Sequence, residues 1–89
     1  MKKNYIYILQ KRNIPKEIKI GVTDDIDKRL KNIQTGNSSE IIVYYIEERE
    51  DAYKVEKKLH NFFDKYRLEK GEWFLIDPKI VRKKIFQIH

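Results

Sequence analysis

The sequence predicts a small α/β domain of the α+β type, with an antiparallel sheet of three strands flanked by helices in the order β-β-α-β-α-(β)-α. Two apolar strands, at about 4–10 and 18–23, are separated by a polar loop of hairpin length. Amphipathic helical stripes follow the second and third strands. The chain has 89 residues, of which 40% are hydrophobic, enough for one core and one domain spanning 1–89.

The two N-terminal strands form a hairpin whose side chains alternate between two faces. One face is aliphatic and carries Ile6, Ile8, Ile18, Ile20 and Val22. The opposite face presents Tyr7, Lys19 and Gly21 together. A phenol, an ammonium group and bare backbone form a suitable floor for a site that handles phosphate.

The first helix begins after an N-cap at Asp24 or Asp25, and its apolar stripe is Ile26, Leu30 and Ile33. Gly36 is predicted to end this helix as a left-handed cap. The third strand, 40–47, is apolar at nearly every position, which is typical of a strand covered on both faces. We expect it to pair beside the first strand, on the side away from the second.

The longest helix is predicted at about 50–66, with an inward stripe of Ala52, Val55, Leu59, Phe62, Phe63 and Tyr66. A turn at Lys70-Gly71 leads into a short strand at 72–76. Asp77 and Pro78 are typical of a helix start, as cap and first-turn proline. The last helix, about 79–88, then places four apolar residues inward, Ile80, Val81, Ile85 and Ile88, and a basic set largely outward, Lys79, Arg82, Lys83 and Lys84.

Composition narrows the classes of function. Lysine and arginine number 20 against 14 acidic residues, so the net charge of +6 favours a polyanionic partner, with a lysine-rich solvated surface as the alternative interpretation. The absence of cysteine excludes disulfides and thiolate zinc sites. No apolar run approaches the ~18–20 residues of a membrane span, and the N-terminus leads directly into a strand. We therefore expect an intracellular location, cytoplasmic or, in a eukaryotic host, nuclear.

At this point the motifs resemble those of the GIY-YIG nuclease superfamily. Tyr-Ile-Tyr at 5–7 and Lys-Ile-Gly at 19–21 are similar to its two motif strands, in the branch known from phages and large DNA viruses. Arg29 in the first helix, Glu56 in the long helix and Gly-Glu-Trp-Phe at 71–74 follow in the family's order. The resemblance covers about residues 4–76, leaving the basic C-terminal helix at 79–88 outside it.

The resemblance implies hydrolysis of phosphodiester bonds in DNA with Mg²⁺ or Mn²⁺. Carried over by position, Tyr7 deprotonates the attacking water, Arg29 neutralises the phosphate and Glu56 holds the metal. A planar guanidinium suits phosphate oxygens, and a single carboxylate suits Mg²⁺, which keeps most of its water ligands. Tyr7 can serve as a base only if its pKa, about 10 when unperturbed, is lowered by a metal or a cation.

Some positions depart from the family pattern and leave alternatives open. Lys19 stands where many members have a second tyrosine, Tyr5 where glycine is usual, and Ile33 where some have histidine. Lys19 either holds phosphate or lowers the pKa of Tyr7. The second hypothesis is a nucleic-acid-binding module that keeps the fold without cutting. The third is a protein-interaction module whose acidic run at 47–51 faces a basic partner.

Further candidates carry both a functional and a structural interpretation. His60 shares a helix face with Glu56 and is a candidate nucleic-acid contact, with a partly buried structural histidine as the alternative. Glu72 is either a second carboxylate near the metal or a solvated turn residue. Lys19, Arg29, Arg82, Lys83 and Lys84 are the basic candidates for contact with DNA.

Gly21, Trp73 and Phe74 are predicted to be structural, the glycine through a close backbone approach and the two aromatic residues by closing the core. A single module of this size buries roughly 600–1,000 Å² on DNA, which leaves little surface for sequence recognition. Any specificity is therefore expected from a homodimer or an additional DNA-binding partner.

Overall fold

Four antiparallel strands and three α-helices make up the part of the chain that the computed structural model describes, residues 3–68 and 72–88. The elements are β1 (Tyr5–Lys11), β2 (Glu17–Thr23), α1 (Ile26–Thr35), β3 (Ile41–Glu48), α2 (Ala52–Phe62), a single 3₁₀ turn (Asp64–Tyr66), β4 (Trp73–Leu75) and α3 (Pro78–Gln87). The predicted turn at Lys70-Gly71 lies outside the described residues. Within the described ranges, no helix has the length and apolar character needed to cross a membrane.

The strands lie in the order β3-β1-β2-β4, and every pairing is antiparallel. The predicted position of the third strand beside the first is confirmed, as is the α+β class. The sheet has four strands rather than three, because the short segment after the second helix pairs with β2 through Ile18 and Phe74. In the hairpin, Tyr7 lies opposite Gly21 and Leu9 opposite Lys19.

Both faces of the sheet are covered by helices. The aliphatic face of β1 and β2 packs against α2 and α3 in the main core. On the other face Tyr7, Leu9 and Ile41 form a second, smaller core with Trp73 and the apolar stripe of α1. Tyr7 is fully buried there. The stripe of α1 has no other apolar surface to pack on, so it closes over the face that carries the tyrosine.

Two predictions around β3 are wrong. Residues 40–47 were predicted to be covered on both faces, but β3 is an edge strand on which Val43 and Ile46 are exposed. Gly36 does end α1, but its φ of −89° and ψ of 5° are not left-handed. The Asn37 side chain instead donates to the carbonyl oxygen of Ile33 at 2.8 Å, so the last turn is capped without a left-handed residue.

The predicted helix caps agree with the structure better than the predicted helix ends do. Asp25 accepts a hydrogen bond from the Lys28 amide at 3.1 Å, and Asp77 accepts one from the Lys79 amide at 2.9 Å, which confirms both predicted N-caps. α2 is shorter than predicted, since it ends at Phe62 and a 3₁₀ turn follows.

Three residues predicted to point inward are exposed, namely Phe62, Tyr66 and Ile80. At the end of α2 the adjacent Phe63 takes the core position instead. In α3, Val81 and Ile85 fill the core without Ile80.

Candidate active site

The candidate site lies along the outer edge of β2, the edge that faces away from β1. Along this edge every second residue turns its backbone polar groups away from β1. The Lys16 carbonyl accepts from the Ile76 amide at 2.8 Å, and Ile18 pairs with Phe74. Beyond the start of β4 the partners are side chains of α2 instead, with His60 on Ile20 and Glu56 on Val22. Glu56 and His60, four residues apart on α2, thus continue the hydrogen bonding of the sheet edge.

Gly21 lies on this edge and allows the Tyr7 ring to reach it. A Cβ at position 21 would lie 2.3 Å from the Tyr7 hydroxyl oxygen and 2.5 Å from Tyr7 Cζ. The ring therefore lies directly over the glycine backbone, and its hydroxyl oxygen is the atom nearest to a Cβ at that position. The predicted close approach at Gly21 is confirmed, and its cause is the ring of Tyr7.

Arg29 connects α1 to this hydroxyl group. Its Nε donates a hydrogen bond to the Tyr7 hydroxyl oxygen at 3.2 Å. Burial raises the pKa of Tyr7 above its ordinary value of 10.0; the hydrogen bond and charge of Arg29 oppose the rise, while Glu72 and Glu56 add to it. The net effect of these groups keeps the phenol protonated at neutral pH.

Glu56 is half-buried and lies within electrostatic range of the same residues. Burial is the main cause that raises its pKa above the ordinary value of 4.5, and the charge of Glu72 adds to the rise. His60, Arg29 and a hydrogen bond from the Val22 backbone act in the opposite direction. No ion pair within 4.0 Å reaches this carboxylate among the described residues, so its charge is not directly compensated.

Lys19 and Glu72 form an ion pair beside this group. Lys19 Nζ lies 3.1 Å from Glu72 Oε2, and it also lies 5.6 Å from the centroid of the Trp73 ring. The Lys19 ammonium is therefore bound to a carboxylate rather than presented alone. Trp73 and Phe74 hold this segment, since Trp73 packs in the second core and Phe74 is fully buried in the main core.

His60 is held on both sides of its ring. Its Nε2 lies 2.9 Å from the Ile20 carbonyl oxygen, and because that oxygen only accepts, Nε2 carries the proton. Nδ1 then accepts from Arg67 Nη2 at 3.3 Å, and the ring packs edge-on against Phe74. This arrangement corresponds to the structural alternative for His60, because both nitrogens are engaged within the domain.

The basic residues of α3 do not form a single stripe. The Arg82 guanidinium lies over the Tyr44 ring at 5.4 Å, on the side of the helix that faces β3. Lys84 Nζ lies over the Phe62 ring at 4.0 Å, on the side that faces α2. Lys83 is exposed between them. The structure thus places these three cations away from Tyr7 and divides them between two surfaces.

Most of the acidic run at 47–51 is paired within the domain. Arg49 Nε donates to Asp51 Oδ1 at 2.8 Å, and Arg49 Nη1 lies 3.5 Å from Glu47 Oε2. Glu48 lies 3.8 Å from Lys3 Nζ. Glu50 is the one acid of the run without an ion pair in the described part of the chain. Arg49 and Lys3 together offset two of the run's four acidic charges, so a reduced negative charge remains for a partner.

Comparison with known families fits this arrangement of residues. The family model of the T5orf172 domain matches residues 4–89. The chain belongs to the T5orf172 domain family. T5orf172 is a phage-associated domain of the endonuclease-like type, and the match includes α3 together with the sheet. No curated protein and no solved structure matches the chain.

The carboxylates of this T5orf172 domain fit a hard divalent cation. Burial is the main cause that raises the pKa of Glu56, the charge of Glu72 adds to the rise, and Glu56 has no ion pair among the described residues. No cluster of three or more histidine, cysteine or acidic ligands occurs among the described residues. The protein would therefore supply one or two carboxylate oxygens and water the remaining ligands, a combination that suits Mg²⁺ or Mn²⁺.

Glu72 is the residue that the sequence undervalued in this T5orf172 domain. It was favoured as a solvated turn residue, yet it pairs with Lys19 and raises the pKa of both Tyr7 and Glu56. The available signal was its position immediately before Trp73, which pairs with Lys19. Glu72 comes close to Tyr7 only because the register between β2 and β4 places Trp73 opposite Lys19.

Proposed function

We propose that this T5orf172 domain is a metal-dependent DNA endonuclease of the GIY-YIG type that hydrolyses phosphodiester bonds. One observation carries the proposal. Tyr7, Arg29, Glu56 and Glu72 come from four separate parts of the chain, and Arg29 donates a hydrogen bond to the Tyr7 hydroxyl oxygen at 3.2 Å. Burial is the main cause that raises the pKa of Tyr7 and of Glu56, and the charge of Glu72 adds to both rises. Perturbed titratable groups gathered at one edge are typical of a functional site.

Arg29 is the residue best suited to bind the scissile phosphate. Its guanidinium is partly exposed and donates from Nε to Tyr7, which leaves the two terminal nitrogens available in the planar fork that matches phosphate oxygens. Negative charge on the phosphorane grows during hydrolysis, so a fixed cation at this position lowers the barrier. Loss of one such donor typically costs about 10²–10³ in rate.

Tyr7 is the proposed acceptor of the proton from the attacking water. The Arg29 hydrogen bond favours the phenolate form, while burial and the two carboxylates oppose it. Tyr7 therefore needs further positive charge nearby before it can act as a base near neutral pH.

Glu56 is the proposed metal ligand, with Glu72 as a second carboxylate when it releases Lys19. Bound Mg²⁺ or Mn²⁺ would supply positive charge that acidifies water and stabilises the phosphate. Within the protein, Glu56 holds its carboxylate at the open end of the β2 edge through the Val22 backbone. Lys19 pairs with the Glu72 carboxylate, so a metal cation would have to compete with Lys19 for the Glu72 oxygens.

The test is cleavage of supercoiled plasmid DNA with Mg²⁺ or Mn²⁺ by the wild type and by Glu56→Gln, Arg29→Ala and Tyr7→Phe. Each variant is expected to lose at least about 100-fold in rate. Matched controls on exposed positions, Glu50→Gln, Lys28→Ala and Tyr53→Phe, are expected to cut as the wild type does. Equal cleavage by the wild type and all three site variants would refute the proposal.

A second candidate function is nucleic-acid binding without cleavage, and the Lys19–Glu72 ion pair favours it. The pair neutralises a carboxylate that a metal would need, while the net charge of +6 still favours a polyanionic partner. In that case binding falls steeply with salt through counterion release, and no divalent metal supports cutting. A homodimer or an additional DNA-binding partner remains the predicted source of any sequence specificity.

A further inference from the structure

Two surface cavities meet at Phe62, on the side of the domain where α2 ends. The first has a volume of about 550 Å³ and lies between α2 and α3, with Lys58 and Lys84 in its wall. The second has a volume of about 820 Å³ and continues past the 3₁₀ turn to the end of β4, with Lys16 and Lys65 in its wall. Both are lined by Asn61 and Phe62, so the two cavities adjoin at these residues, and we call the pair the Phe62 groove.

The Phe62 groove displays aromatic rings that the core does not use. Phe62 is 58% exposed and Tyr66 is 38% exposed, and they flank the buried ring of Phe63. The ring centroids of Phe62 and Phe63 are 4.9 Å apart, and those of Phe63 and Tyr66 are 6.4 Å apart. Phe63 anchors the row in the main core, so the outer two rings are fixed in place with open surface. Such rings are the platforms on which unpaired bases stack.

The charge around these rings is positive. Lys84 Nζ lies 4.0 Å from the centroid of Phe62, and Lys65 Nζ lies 5.2 Å from that of Tyr66. The acids in the groove wall are engaged elsewhere. Asp64 accepts from Arg67 Nε at 3.1 Å, and Asp77 caps α3. A polyanion with apolar faces therefore complements the groove in both charge and surface character.

We propose that the Phe62 groove binds a single-stranded segment of nucleic acid. Phe62 lies six residues after Glu56 on α2, about 9 Å along the helix axis and about 120° around it, so a strand that contacts both regions has to pass around the end of α2. The proposal deepens the proposed nuclease function and rests on it for the substrate class, which becomes DNA with an unpaired flap or tail next to a duplex.

A second copy of the chain fits the groove less well. A two-fold interface brings the same surface of each copy together, so the four lysines of the groove would face the same four lysines. Like charges brought together in this way oppose association. A nucleic acid has the opposite charge, and its bases can stack on the exposed surface of the rings.

The test measures fluorescence anisotropy of a labelled oligothymidylate and of a labelled duplex of equal length, with EDTA present so that cleavage cannot occur. Phe62→Ala is expected to weaken binding of the single strand at least about fivefold, because loss of one stacked base typically costs that much or more. The combined change Lys58→Gln and Lys84→Gln keeps the ring and is expected to reduce the salt slope by about 0.7 per lysine.

The matched controls lie on α2 outside the groove. Tyr53 is 63% exposed, and Lys54 is exposed beside it. Tyr53→Ala is expected to change the affinity less than twofold, and Lys54→Gln is expected to leave the salt slope within error. Far-UV circular dichroism of each variant confirms that the fold is retained.

Several results overturn the inference. One is equal loss of single-strand affinity in Phe62→Ala and Tyr53→Ala, and another is equal loss for duplex and single strand. A wild type that sediments as a dimer, and a Phe62→Ala variant that is monomeric, would assign the groove to contact between copies. These outcomes are separate from the cleavage test, since the proposed nuclease stands or falls with Glu56, Arg29 and Tyr7 regardless of Phe62.

Discussion

Replacing Gly21 with alanine tests the close approach between β2 and Tyr7. A Cβ at position 21 would lie 2.3 Å from the Tyr7 hydroxyl oxygen, whereas ordinary van der Waals contact begins at 3.4 Å. The ring therefore has to move by about 1 Å to accommodate the methyl group. Because Tyr7 is fully buried under α1 and bonded to Arg29, that movement disturbs the second core and the candidate site together.

The expected cost is about 1–3 kcal/mol in the free energy of unfolding, the usual range for overpacking. In a domain of this size each kcal/mol lowers Tm by about 4–8 °C. Backbone strain makes no contribution, since the φ of Gly21 lies outside the left-handed region. Without the ring, alanine at position 21 should be neutral or stabilising by about 0.4–1 kcal/mol. Gly21→Ala and Tyr7→Leu should therefore couple by about 1–4 kcal/mol.

Urea unfolding followed through the single tryptophan, Trp73, measures this coupling in a double-mutant cycle. Tyr7→Phe serves as an internal control, because Cζ would still lie 2.5 Å from the new methyl group and no rescue is expected. If the effects of Gly21→Ala and Tyr7→Leu add within about 0.5 kcal/mol, the ring does not constrain position 21 and the reasoning fails.

Three other predictions concern charges in the candidate site. Burial raises the pKa of Glu56 in the folded state, so the wild type loses stability as the pH rises from the unfolded pKa, near 4.5, through the folded pKa. Glu56→Gln removes that loss and should gain stability relative to the wild type towards neutral pH, with no relative gain below pH ~4. Arg29→Ala should raise the pKa of Tyr7 further, measured by tyrosinate absorbance with Tyr7→Phe as the reference. Lys19 and Glu72 should couple by less than about 1 kcal/mol in thermal unfolding, because Glu72 is 41% exposed.

Each of these predictions has a control and a contradicting outcome. Glu50→Gln changes an exposed acid outside the site and should not gain stability towards neutral pH. If the stability of Glu56→Gln follows the wild-type pH profile, burial does not perturb the Glu56 carboxylate. Lys28→Ala removes an exposed cation of α1 and is the matched control for Arg29→Ala. An unaltered pKa of Tyr7 in Arg29→Ala would contradict the hydrogen bond between Arg29 and Tyr7. Coupling between Lys19 and Glu72 above about 2 kcal/mol would mean that solvent screens this pair far less than its exposure implies.

Sequence signals that involve neighbouring residues, such as helix caps and strand alternation, predicted the corresponding features of the fold. The caps at Asp25 and Asp77 depend on a side chain and an amide two or three residues away, and both are present. The alternation of the hairpin likewise fixed which residues share a face with Tyr7. Alternation does not indicate what covers a face, however, so the burial of Tyr7 beneath α1 could not be predicted from it.

The missed features depend on contacts between distant segments. Two adjacent phenylalanines end α2, and the helical period alone admits either as the core residue. Packing against the sheet selects Phe63 and leaves Phe62 outside. The proximity of Glu72 to Tyr7 depends on the register of β4 on β2, which a strand of three residues encodes weakly.

The shortness of β4 has a consequence for how access to the candidate site can be blocked. β4 pairs with β2 only as far as Lys19, and two side chains of α2 take over where a longer strand would offer backbone partners. A β4 longer by three residues at its N-terminal end would, in the same register, pair with β2 as far as Val22 and displace Glu56 and His60. The sheet would then be more complete and the carboxylate shut away from substrate. The candidate site is open because β4 is short, so extending the strand is expected to close it without altering any of its polar side chains.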